Sequence, residues 1–129
     1  MTSAKVTQDG TKYVLEFELK GLPRTTNGSH GHWRAKHARN KALKARVFAS
    51  CWHLRPDSPL TLARITLTRI SSVEPDFDNL VISFKPVVDG LRQAGIIIDD
   101  KRKNVGRPEY LWEKCKPGGG HIKIKVEGL

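Results

Sequence analysis

Alternation of apolar and polar positions opens the chain's pattern. Tyr13, Leu15, Phe17 and Leu19 alternate with Val14, Glu16, Glu18 and Lys20, and this period of two predicts a half-buried strand over 12–20. Gly21 and Pro23 end it, and Thr25–Trp33, with Asn27, Gly28 and Gly31, reads as a turn-rich loop. Residues 35–54 predict a helix with two stripes. Ala38, Ala42, Ala45, Ala49 and Trp52 form one; Leu43, Val47, Cys51 and Leu54 form the other, on roughly the opposite side. Pro56 and Pro59 close that helix. In the strand predicted over 61–70, Ala63, Ile65 and Leu67 share one face, and Arg64, Thr66 and Thr68 the other.

A second helix is expected within 78–94, with Leu80, Phe84, Val88 and Leu91 on one side and Gly95 just past its end. Pro86 either kinks it or sits in its first turn with Ser83 as N-cap. Ile96–Ile98 is a short apolar run. Tyr110–Cys115 and Ile122–Val126 read as strands joined in a hairpin across Lys116–Gly120. The expected fold is a single α+β domain over 1–129, a small mixed sheet with two main helices in the order β-α-β-α-β-β.

Composition fits an ordinary globular domain, with 38 % hydrophobic and 28 % charged residues. No apolar run approaches the about 18 residues of a membrane span, the first ten residues lack a signal-peptide core, and two cysteines are too few for a disulfide scaffold. A cytoplasmic location is the expectation. The 23 Lys and Arg against 13 Asp and Glu, a net charge of +10, suit a polyanionic partner such as nucleic acid.

The charges are segregated. Between Glu18 and Asp57 there is no acid, while Lys20, Arg24, Arg34, Lys36, Arg39, Lys41, Lys44, Arg46 and Arg55 all fall there. From Glu74 to Asp100 six acids face only Lys85 and Arg92, and Lys101, Arg102, Lys103 and Arg107 follow. A phosphate binder without chemistry gains nothing from concentrated carboxylates, whereas a nuclease uses them to hold a metal beside cations that hold DNA. Asp76 and Asp78, two apart in extended backbone, would point the same way toward one hard cation, Mg²⁺ or Mn²⁺. The competing use of an aspartate there is helix capping. Lys85 and Asp89 are i, i+4 neighbours, where an exposed ion pair is the plain reading. Lys85 also lies close to two helical turns beyond Asp78, a spacing that turns it toward the same cation.

Asp76-Phe-Asp-Asn-Leu80, Lys85-x-x-x-Asp89-Gly-Leu91, Ala94-Gly95 and Asp99-Asp100 together resemble the RusA family of Holliday junction resolvases, whose signature runs D-x-D-N-L-x-K-x-x-x-D-x-L-x-x-A-G-x-x-x-D-D. The match has no gap from Lys85 to Asp100 and spans about 25 residues, with Leu22-Pro23 and Asn27 as a looser N-terminal echo. It departs in one place: Lys85 falls seven residues after Asp78, where the family most often has four. The resemblance implies a Mg²⁺-dependent endonuclease, commonly a homodimer and often phage-encoded, that cuts paired strands of four-way junctions in DNA recombination and repair. It implies Asp76, Asp78 and Asp100 as metal ligands and catalytic acids, Lys85 beside the scissile phosphate, and Asp89 and Asp99 as auxiliary acids.

Arg34, Lys36, Arg39, Lys101, Arg102 and Lys103 are the expected phosphate contacts. Competing readings are a flap- or fork-selective nuclease on the same acids, and a DNA-binding module whose acids are structural. A zinc site of His30, His32 and His37 with Cys51 or His53 has no recognisable ligand spacing. Trp52 and Trp112 read as core or interface residues; Trp33 has the alternative of stacking on an unpaired base. A two-fold dimer is expected because a four-way junction needs two cuts and the chain carries acids for one site.

Overall fold

A computed structural model describes residues 5–9, 12–23 and 33–129. Five strands form one mixed sheet: β1 (Lys5–Asp9), β2 (Lys12–Lys20), β3 (Ala63–Ser71), β4 (Glu109–Lys114) and β5 (His121–Gly128). The helices are α1 (Trp33–Cys51), continued by a 3₁₀ turn over Trp52–Leu54, α2 (Phe77–Ser83), α3 (Lys85–Gln93) and the short α4 (Arg102–Val105). The α+β class is as expected, and β1 and α4 are additions to the expected order.

The spatial order is β1-β2-β5-β3-β4, antiparallel except for the parallel pair β3–β4. The expected hairpin is therefore not formed: β3 lies between β4 and β5, and the Lys116–Gly120 connection passes over it. Turn residues bend the chain there, with Gly118 at φ 87°, but turn chemistry does not choose the strand's neighbour. β5 instead pairs on both edges, Ile124 opposite Phe17 on one side and Leu67 on the other.

The alternation in β2 holds. Tyr13, Leu15, Phe17 and Leu19 are buried, and they pack with Ile65 and Leu67 of β3, Ile122, Ile124 and Val126 of β5, and the helices in one core. The other sheet face is polar. Glu16 stands opposite Lys125 and Glu18 opposite Lys123, and the Glu18 carboxylate lies 3.3 Å from His121 Nε2.

α1 turns only one stripe inward. Val47 and Cys51 are fully buried and Leu43 and Leu54 pack against the core, while Ala38, Ala42, Ala45, Ala49 and Trp52 are exposed. The helix expected within 78–94 is broken at Phe84. Pro86 lies in the first turn of α3 as one of the two readings required, but Phe84, not Ser83, is the N-cap. The Ser83 hydroxyl donates instead to the Leu80 carbonyl at 2.7 Å, closing α2 on itself. Gly95 follows α3 with φ 79°, and its N–H reaches the Arg92 carbonyl. Ile97 then bridges Leu60 in parallel, which fixes where Asp99 and Asp100 leave the core.

Candidate functional site

Asp76 and Asp78 lie together for a different reason from the one the sequence suggested. The segment is not extended. Asp76 is the N-cap of α2 (φ −59°, ψ 146°) and Asp78 is in that helix's first turn, so both carboxylates stand at one helix terminus. The Asp76 side chain makes no capping hydrogen bond; its main-chain carbonyl accepts the Leu80 N–H at 3.0 Å, the first bond of the helix. A capping hydrogen bond therefore does not account for Asp76, while Asp78 has the place of a first-turn acid that favours the helix dipole; both are exposed. Phe77 between them is 63 % exposed and meets Tyr110 of β4 edge-on, ring centres 6.1 Å apart.

Asp99 and Asp100 are half-buried neighbours held by their own loop. The Asp100 N–H donates to Asp99 Oδ1 at 2.7 Å, and Lys101 Nζ lies 3.9 Å from Asp99 Oδ2. Hydrogen bonds from Asp100 first, then the charges of Lys101 and Arg92, hold the Asp99 carboxyl below its usual range. Asp99 is thus kept ionised by its surroundings.

The acids do not form a completed metal centre. Among the described residues, no three His, Cys, Asp or Glu side chains gather closely enough to hold an ion, so Asp100 does not join Asp76 and Asp78 in this arrangement. The donor chemistry still suits one cation type. Mg²⁺ takes one or two carboxylates, keeps several waters and completes its shell with substrate phosphate, which fits the exposed pair Asp76 and Asp78. The zinc alternative gains nothing: Cys51 is buried with its thiol on the Val47 carbonyl, His37 and His53 are exposed, and His30 and His32 lie outside the described residues.

Lys85 and Asp89 lie on α3, not on the helix that carries Asp78. The break at Phe84 cancels the two-turn argument that would have aimed Lys85 at the acids. Both residues instead line a cleft of about 820 Å³ between α1 and the α2–α3 pair. No ion pair joins them among the described residues.

Of the expected phosphate contacts, Lys36 lines this cleft, and Arg39 lines a smaller one of about 210 Å³ on another side of α1. Lys101, Arg102 and Lys103 are exposed at the start of α4. The Arg34 side chain lies outside the described residues. Lys41 and Lys44, which also line the larger cleft, were not singled out from the sequence. The signal was the i, i+3 spacing of Lys41 and Lys44, but choosing their face required knowing where α3 packs.

No family model and no curated protein matches the chain. The likeness to junction resolvases therefore rests on the spaced acids alone.

Of the tryptophans, Trp112 is tied inward, its Nε1 donating to Ser71 Oγ at 2.9 Å. Trp52 is exposed, with the Arg55 guanidinium 4.4 Å above its ring. No described helix is long and apolar enough to cross a membrane.

Proposed function

We propose that this chain is a Mg²⁺-dependent, structure-selective endodeoxyribonuclease of the RusA type that resolves four-way DNA junctions as a homodimer. The observation that carries the reading is the pair Asp76 and Asp78, both exposed at one helix terminus, with the Asp76 side chain making no capping hydrogen bond. Beside it stands the charge of α1. The helix has basic residues at 34, 36, 39, 41, 44 and 46 and no acid. Like charges three and four apart on a helix repel, and basic residues near its N-terminus oppose the helix dipole. Such a helix gains stability when a polyanion lies along it.

Asp76 and Asp78 would hold Mg²⁺, with Asp100 as the third acid that the motif supplies. The chemistry a bound Mg²⁺ brings is polarisation of the attacked phosphate and neutralisation of charge on the leaving oxygen. The cations of α1 and α4 would orient the phosphate backbone, and the hydrogen bond from the Asp100 N–H to Asp99 Oδ1 shapes the turn that carries Asp100. Two cuts at one junction require two such sites, which a two-fold dimer provides.

The absence of a gathered acid triad among the described residues favours one competitor, a DNA-binding module without catalysis. A synthetic four-way junction and a linear duplex of the same sequence, each with Mg²⁺ and with EDTA, separate the two. Paired cuts in the junction with Mg²⁺ alone support the nuclease. Tight junction binding with no cut under any divalent cation supports the module.

A further inference from the structure

The cleft between α1 and α3 has a makeup that the acid site does not explain. Lys36, Lys41 and Lys44 from α1 and Lys85 from α3 bring four cations to it, against the single carboxylate of Asp89. Between them lie Ala45, Phe48, Ile82 and Pro86, so the wall is apolar where the charges are not. Asp76 and Asp78 do not line it. Phe48 is half-buried; its ring centre lies 6.2 Å from that of Trp52, and the rest of its surroundings are cleft and core.

We infer that this cleft binds an unpaired stretch of DNA strand, with phosphates on the lysines and a base against Phe48. The inference rests on the reading of the chain as a binder of branched DNA, and does not require that it cut. Charge complementarity makes the occupant an anion. About 820 Å³ is in the range of sites that enclose a small molecule, which suits a nucleotide or two seated inside the cleft, whereas a double helix could meet only its rim. Cations with an aromatic platform are the two parts of a single-strand site, because every base has a stackable face. A duplex keeps its bases paired and offers Phe48 nothing.

Binding is measured by fluorescence anisotropy in EDTA with three probes: labelled oligothymidylate, a duplex of equal length and a four-way junction. The variants are Lys41→Gln with Lys44→Gln, which keeps the alkyl stems over the apolar wall, and Phe48→Leu, which keeps an apolar side chain. Melting temperature reports that each is folded. Both variants are expected to bind oligothymidylate at least tenfold more weakly, with a loss on duplex at least fivefold smaller than the loss on single strand. The lysine pair is expected to lower the salt slope on single strand by about 0.7 per lost contact. Equal losses on single strand and duplex, or no loss on either, overturn the inference. So does displacement of the oligonucleotide by thymidine monophosphate at micromolar concentration, which would make the cleft a nucleotide pocket. Wild-type protein that binds the junction but not oligothymidylate sinks this inference alone; protein that binds no probe sinks the nuclease reading with it.

Discussion

A Cβ placed on Gly90 would lie 2.8 Å from the Cβ of Val47 and 2.9 Å from the Lys44 carbonyl oxygen. This is a point of close approach between α3 and α1, and neither neighbour can move aside cheaply, one being main chain and the other the fully buried Val47. Alanine gains about 1 kcal/mol in helix propensity over glycine, but the overlap opposes it. Gly90→Ala should destabilise the fold by about 1–3 kcal/mol, read as a shifted urea midpoint with the m-value unchanged. A stabilised variant would show that the helices separate without cost.

Asp76→Asn, Asp78→Asn and Asp100→Asn should each reduce junction cleavage by at least a hundredfold. Each keeps the side chain's shape and removes a ligand charge. Junction affinity should hold or rise, since one repulsion with phosphate is gone. A variant that cuts at the wild-type rate is not a ligand; simultaneous loss of binding and cutting would point to misfolding.

Lys101, Arg102 and Lys103 are exposed around the start of α4. Replacing all three by alanine should lower the slope of log affinity against log salt on duplex DNA by about 0.9 for each phosphate contact removed. An unchanged slope would place the DNA on another surface.

Burial pushes the Cys51 thiol up to about 12, and burial together with the Cys51 charge pushes the Tyr13 phenol up to about 12. Tyr13 also donates to the Leu54 carbonyl at 2.7 Å. Both groups are neutral in the folded chain and ionise more readily unfolded. Their contribution is whole below about pH 9, the lower of their ordinary values, and is lost as pH rises toward 12. Urea midpoints at pH 7, 9 and 11 should fall across the last interval. At pH 8 a thiol reagent should modify Cys115 in the folded protein and both cysteines in denaturant; fast reaction of two thiols in the native state would contradict the burial.

α1 leaves Ala38, Ala42, Ala49 and Trp52 uncovered. In a two-fold dimer this stripe is the expected contact, because small side chains let two helices approach. Light scattering at micromolar concentration should give twice 14.5 kDa, and Ala42→Glu should return the monomer. A wild-type mass of 14.5 kDa with unpaired nicks in the junction would refute the dimer.

The sequence was readable where one residue's environment is set by its near neighbours. The alternation at 13–19 and Gly95 after α3 are local patterns, and each holds; the two stripes of α1 were also visible, but which of them faces the core was not. It misled where a distant segment intervenes. The Pro-Gly-Gly-Gly stretch signals a bend correctly, yet nothing near it reports that β3 takes the place between β4 and β5. Asp76 and Asp78 were chosen by residue type, while their geometry followed from where α2 begins and not from strand alternation. The two-turn argument for Lys85 lapsed because the break at Phe84 changes the helical phase. The cleft's lysines could not be separated from the other cations of α1 until α3 was in place.

The position of β5 has a consequence for synthesis. It follows every other strand in chain order, yet it fills the middle of the sheet, with β2 on one edge and β3 on the other. Until it emerges from the ribosome, those two strands each show an open hydrogen-bonding edge beside apolar side chains, which is the surface on which nascent chains aggregate. The β1–β2 ribbon and the β3–β4 pair can form early but cannot join. Closure is therefore a single late event, and a ribosome that stalls before His121 would hold two half-sheets with nothing to seal them.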